Sequence, residues 1–285
     1  MPGAQIALLP DGRRLHLNHG PIDLIVEAFG AGTEMELACR QAVDNFPDIL
    51  PGLVSELSDL RRPVGEPLRG PVACRMREAC LPHDGVFVTP MAAVAGSVAD
   101  HMLAALIEGR DLEKAYVNNG GDIALYLAEG ASLTAGLVAD YHLLSLDASC
   151  EIGYSMPVRG IATSGWKGRS HSLGIADSVT VLAKNAAAAD VAATLIANAV
   201  DAEDPAVRRA PASDLDPDSD LGDRLVTVDV DPLRQETVDE ALSRGEASAE
   251  DMARAGHIVA AVLVLQGSYR TVGDAPAGLL SAAAA

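Results

Sequence analysis

The chain has 285 residues, with 21 Lys+Arg against 40 Asp+Glu and a formal net charge of −19. That balance excludes a binder of nucleic-acid backbones, which needs a basic face, and argues against docking on an anionic membrane. Hydrophobic residues make up 49% of the chain and aromatic ones 3%, so it can bury a large aliphatic core but offers no stacking platform for single-stranded nucleic acid.

In chain order, residues 5–9 alternate, Pro10-Asp11-Gly12 turns, and residues 13–17 alternate again, which predicts a hairpin. After His19-Gly20-Pro21 a strand resumes over 22–28. Thr33 is placed to cap a helix over 34–45, with Glu36 in the capping-box region. Five prolines between 47 and 71 predict a connection with one short helix at 53–60. A short strand is expected at 85–90, then a small-residue helix over 92–108. Strands at 115–117 and 123–127 flank Asn118-Asn119-Gly120-Gly121-Asp122. Residues 131–146 read as strand, 160–170 as polar loop, 178–182 as strand and 185–200 as an Ala-rich helix.

Residues 201–223 carry eight acidic residues against two arginines, with Pro205, Pro211 and Pro217. That composition predicts a solvated, flexible connection. A strand at 225–230, a helix at 235–243, a strand at 259–266 and a disordered tail over 273–285 complete the pattern. Strand runs separated by helices, with several hairpins, predict an α+β fold with mostly antiparallel sheet in a single domain over 1–272. The two Ala-rich helices hint at two related halves. Exposed edges of such a sheet predict a homodimer. Cys39, Cys74, Cys80 and Cys150 form no Cys-x-x-Cys pair and read as free thiols. With no leader pattern and no long apolar run, the expectation is a soluble, cytoplasmic protein without a membrane partner.

Three stretches carry candidate chemistry. The glycine amides of Asn118 to Asp122 can approach a ligand closely, and the flanking side chains supply acceptors; the same residues also make an ordinary hairpin turn. Ser164, Gly165, Trp166, Lys167, Arg169 and His171 lie within eight residues of a glycine-rich loop. There Lys167 and Arg169 suit phosphate and Trp166 suits a ring, although a solvated surface loop fits as well. Asp190 and Thr194 are four apart on a predicted helix, a carboxylate and a hydroxyl on one face. With a substrate phosphate they make a ligand set that Mg2+ prefers; a dipole-facing acid and a back-bonded threonine are the alternative.

Taken in order, these stretches resemble the ApbE superfamily, which includes Mg2+-dependent FAD:protein FMN transferases. Its pattern runs Gly-Ala-x-Lys-Gly-x-x-x-Asp, Asn-x-Gly-Gly-Asp, a Ser-Gly loop with a later His, and Ala-Asp-Ala-x-Ala-Thr. The matching residues here run from Val94 through Gly96 to Asp100, from Asn118 to Asp122, Ser164-Gly165 with His171, and from Ala189 through Asp190 to Thr194. His19-Gly20-Pro21-Ile22-Asp23 and the run from Pro90 to Gly96 make the chain more similar to an uncharacterised, shorter branch of that superfamily. The resemblance implies a T-fold-like core of two halves and a flavin (FAD or FMN) or another small phosphate-bearing ligand. It further implies Mg2+ on Asp190 and Thr194. Ligand contacts would come from Asn118, Asn119, Gly120, Gly121, Ser164, Gly165 and Arg169, and proton handling from His171 or Asp122. An acceptor flavoprotein would be the partner. Two departures stand out: Ala95 occupies the lysine position, and His171 leads into Ser172-Leu173-Gly174 rather than the transferase run. The alternatives are a ligand-binding homologue without transfer chemistry and an enzyme acting on a different small ring substrate.

Overall fold

The computed structural model describes residues 3–137 and 148–274. They divide into two compact units. The first draws on 1–133, 153–162 and 184–190; the second holds the described residues among 134–152, 163–183 and 191–285.

The first unit opens with β1 (Gln5–Leu8), β2 (Leu15–His19) and β3 (Ile22–Gly30), followed by helices α1 (Gly32–Asn45), α2 (Ile49–Ser55), α3 (Leu57–Leu60), α4 (Pro71–Cys80) and α5 (Val94–Ile107). The hairpin β4 (Leu112–Asn119) and β5 (Asp122–Leu127) returns to the sheet, giving an antiparallel order β1-β2-β3-β4-β5. The register aligns Leu17, Leu24, Asn119 and Asp122 in one row across four strands. Period-2 alternation puts Leu15, Leu17, Leu24, Val26, Ala115, Val117 and Ala124 on one face. There they share a core with Ala38, Met76, Val98, Met102 and Leu106 from the helices. Helix α5 lies against β4, β5, α1 and α4. The stretch Pro90–Ile107 is long and apolar enough to cross a membrane, but 56% of it is buried inside the protein, as suits a core helix.

Several expectations are corrected here. Helix α1 starts at Gly32 with Ala31 as N-cap, so Thr33 lies inside it and caps nothing. The 47–71 stretch holds two helices rather than one, with Pro51 in the first turn of α2, where its missing N–H costs nothing. Helix α4 begins on Pro71 at its first position, a start signal the sequence carries. Residues 85–89 form no strand; the chain passes from Thr89 into a 3-10 turn, Pro90–Ala93, which feeds α5.

Then come β6 (Ser132–Leu137), β7 (Ala148–Gly153), β8 (Gly160–Ser164), β9 (Ser178–Ala183) and α6 (Ala186–Ala199). Part of the strand expected over 131–146 lies outside the described residues. Strand β8 replaces the start of the expected 160–170 loop, because Gly160 and Ile161 pair with β5. In the second unit, β9 is buried along its whole length and pairs antiparallel with β12 (Ala260–Leu265), which pairs with β13 (Ser268–Gly273). Before β12, β10 (Val207–Pro211) and helical turn α7 (Ala212–Leu215) interrupt the acidic stretch, and β10 pairs with β11 (Leu225–Val230). Arg209 anchors β10 through ion pairing with Asp201. Helix α8 (Gln235–Arg254) buries Val238, Ala241, Leu242, Gly245 and Ala249 at helical spacing against β12 and β13. The sequence predicted its end near Ser243, before Gly245. The glycine is instead a contact point, where a Cβ would stand 2.8 Å from Leu263. The tail beyond residue 274 lies outside the described residues.

Candidate functional site

In the first unit the N-terminus of α5 meets the N-terminus of α6, and each is capped by the other. A helix leaves its first backbone N–H groups without intrahelical partners. Asn185 takes the Ala188 N–H with its own side chain at 2.8 Å. The Ala186 and Ala187 N–H groups donate to the two oxygens of Asp100, on α5, at 3.0 and 2.9 Å. In return, the Gly96 N–H in the first turn of α5 donates to Asp190 Oδ2 at 2.9 Å. Ala93, the N-cap of α5, has no side chain that can do this. The backbones touch: a Cβ on Gly96 would stand 2.8 Å from Ala187 N and closer still to the Ala186 carbonyl.

The β4–β5 turn joins this crossing. Asn119, 8% exposed, donates its side-chain N–H to the Ala95 carbonyl at 3.1 Å and accepts the Asp23 N–H. Asn118 Oδ1 accepts the Gly121 N–H at 2.8 Å, so that amide closes the turn itself. Asp122 is buried. Burial first, and then the Asp122 carboxylate, push Asp190 well above its ordinary value of 3.8; N–H groups of Gly96 and Ala95 pull it down, and Asp100 adds to the rise. Asp100 is also raised by burial, against its two N–H bonds and the charge of Arg75. Close by, burial and the Asp190 charge push the Cys80 thiol up to about 12. That thiol is therefore protonated and unreactive at neutral pH.

The second unit carries the other predicted loop. Asp177 organises it, accepting Trp166 Nε1–H at 3.2 Å, the Lys167 ammonium at 2.9 Å and the Gln266 N–H at 2.6 Å. Trp166 N–H also donates to the Ala176 carbonyl. Lys167 is therefore an ion-pair partner with its ammonium over the Trp166 ring. Gly165 is buried and Ser164 half-buried, whereas Arg169 and His171 are exposed. Thr194 is half-buried on α6, one turn after Asp190.

Residues 6–271 match a family model described as "AbpE bacteria". The chain belongs to this ApbE family. A UPF0280 protein of Methanopyrus kandleri is 39% identical over 176 residues, covering 60% of this chain and 66% of that protein. A UPF0280 protein of Methanothermobacter thermautotrophicus is 42% identical over 118 residues, 41% of this chain and 44% of that one. The chain thus covers less than two thirds of the length of these curated relatives. Among solved structures, the apo flavinyl transferase ApbE of Pseudomonas stutzeri matches with a TM-score of 0.51 at 13% identity, over 95% of this chain and 96% of that one. At that identity the likeness is one of fold.

Of the residues predicted from sequence, the first unit brings together Asn119, Asp122 and Asp190, with Asn118 and Gly121 tied to each other in the turn. Ser164, Gly165, Arg169, His171 and Thr194 belong to the second unit. The sequence placed Asp100 at the end of the matched helix pattern without giving it a role, and gave none to Asp177. The signal for Asp100 was its place four residues after Gly96, the same spacing that separates Ala186 from Asp190. Among the described residues, no three His, Cys, Asp or Glu side chains group as a metal cage. The site still suits Mg2+, because crowded carboxylates whose pKa is raised are relieved by a hard cation that completes its shell with water and ligand oxygens.

Proposed function

We propose that this ApbE-family chain binds a flavin nucleotide through its diphosphate together with Mg2+, and transfers the FMN half of FAD to an acceptor flavoprotein. The observation that carries the reading is Asp190. Its carboxylate is fixed against the first turn of α5 by the Gly96 N–H and crowded by Asp122, in a chain matched by the family over residues 6–271. Asp190 would hold the cation, with the Thr194 hydroxyl one turn further along α6. When bound, the cation would neutralise charge on the diphosphate oxygens. The acceptor hydroxyl oxygen attacks the FMN-side phosphorus, the diphosphate P–O bond breaks and AMP leaves. Asp122, or His171 on the exposed loop, takes the hydroxyl proton. Arg169 and the Ser164-Gly165 segment are the further groups assigned to the ligand, along with the Gly120 amide. We further propose that the protein is a cytoplasmic homodimer.

A second reading keeps the ligand and drops the transfer. Ala95 favours it, standing where the transferase pattern has lysine. One experiment separates them: purified protein is incubated with FAD, with Mg2+ or with a chelator, and AMP and FMN are resolved by chromatography. Mg2+-dependent release of AMP supports transfer chemistry. Mg2+-dependent binding of FAD without AMP supports the second reading. No Mg2+-dependent binding of FAD, FMN or ADP rejects both.

A further inference from the structure

We infer that Asp100 is the positioning residue for Asp190, holding the first turn of α6 at the place from which Asp190 reaches α5. The functional consequence rests on the reading above; the structural part stands without it.

The two helices have unequal resources for their first turns. Helix α6 has its own cap in Asn185, whose side chain takes the Ala188 N–H. Its next two donors, Ala186 and Ala187, are both held by Asp100, one on each carboxylate oxygen. Helix α5 begins after Ala93, without a capping side chain, and takes Asp190 in that role through Gly96. Each aspartate therefore sits one turn beyond the backbone N–H that the other one binds. The contact has no slack, since the backbones of Gly96 and Ala186 leave no room for a methyl group. A shift of α6 that frees Ala186 and Ala187 from Asp100 carries Asp190 away from Gly96 as well. Asp100 is 8% exposed and has both oxygens engaged. It is in no position to serve a ligand, and its effect on one has to run through Asp190.

The test uses the full chain with Asp100→Asn, whose amide accepts from one N–H and presents its own N–H groups to the other. The first readout is hydrogen exchange at the Gly96 amide, which Asp190 binds and Asp100 does not touch. Exchange there should speed up by about tenfold or more, as expected for weakening a charge-assisted bond. The second is the affinity for ADP with and without Mg2+. Asp100→Asn should weaken the Mg2+-dependent part about tenfold, and should cost nothing further in a chain already carrying Asp190→Asn. Asp100→Glu keeps the charge on a longer arm and should move both readouts the same way by less, which covers the case of an unfolded Asn variant. Faster exchange confined to Ala186 and Ala187, or losses that add in the double variant, would overturn the inference. If the unaltered protein shows no Mg2+ response to ADP, the proposed function fails, and Gly96 exchange alone then decides the role of Asp100.

Discussion

Replacing Gly96 by alanine tests the crossing directly. In an exposed helix interior the change is favourable by about 1 kcal/mol, because glycine loses the most backbone freedom on folding. Here the new methyl group would lie 2.8 Å from Ala187 N and closer to the Ala186 carbonyl, against 3.4 Å for an ordinary contact. Both sides are backbone, so one helix has to move by more than half an ångström. Overpacking of that kind costs about 1–3 kcal/mol. The same movement stretches three charge-assisted bonds, Gly96 to Asp190 and Ala186 and Ala187 to Asp100, where even one lost bond costs about 1.5–3 kcal/mol. Set against the propensity gain, the net loss should be about 2–4 kcal/mol, or roughly 3–7 °C in Tm for a chain of this length. Denaturant unfolding followed by far-ultraviolet circular dichroism measures it. Gly52→Ala in α2 is the control, since nothing lies within 4 Å of a Cβ there, and it should leave stability unchanged or slightly raised. A Gly96→Ala protein within about 0.5 kcal/mol of the unaltered chain, the usual range for an uninvolved surface change, would refute the reasoning.

Two further outcomes follow from the site. Asp190 holds its proton in the fold above the 3.8 expected of it when unfolded, so the stabilisation by that proton is complete below about pH 4 and fades as pH rises through the raised value; without metal, Asp190→Asn should raise Tm at pH 7–8 and lose that advantage toward pH 4, and a Tm that is lower throughout pH 5–8 would remove the carboxylate crowding from the account. Asp177→Ala should loosen the loop that holds the only tryptophan, shifting Trp166 emission to the red, lowering its anisotropy and costing about 1–3 kcal/mol for the polar partners it abandons; unchanged emission would mean that Asp177 does not hold the ring.

What the sequence revealed depended on the range of the interaction. Alternation from Leu15 to Val26 disclosed both strands and their turn, because side-chain period and hairpin chemistry are local. The apolar periodicity of 92–108 located α5 to within a few residues. Asp190 and Thr194 stood out because little but alanine surrounds them. The function of Asp100 was hidden for the opposite reason: its partners are 86 and 87 residues away, and a carboxylate inside a helix carries no local mark of capping another one. Asp177 was overlooked because its three partners are Trp166 and Lys167, at the other end of its loop, and Gln266, 89 residues away. Within the acidic residues 201–223 the strand Val207–Pro211 went unseen, because its pairing partner β11 and the Arg209–Asp201 ion pair leave no local pattern. Helix α8 runs past the expected end at Ser243, and Gly245 serves the close approach of Val200 and Leu263.

The spacing shared by the two Ala-rich helices has a physical meaning at the helix crossing. Gly96 with Asp100 on α5 corresponds to Ala186 with Asp190 on α6, each a small residue followed one turn later by an aspartate. The correspondence breaks in two places, and the breaks decide which carboxylate is available for chemistry. Ala186 keeps its methyl group in the core, fully buried, whereas Gly96 cannot carry one. Helix α6 has Asn185 to begin its cap, whereas α5 has Ala93 and depends on Asp190. Asp100 is buried with an N–H on each oxygen and the charge of Arg75 to balance it. Asp190 is only partly buried, and the nearest charges acting on it are the acids Asp122 and Asp100. One member of the pair has a backbone N–H on each oxygen and locks the crossing. The other is held in position by the same crossing but left with excess negative charge around it, which is the state a carboxylate needs if it is to take up a cation together with a phosphate.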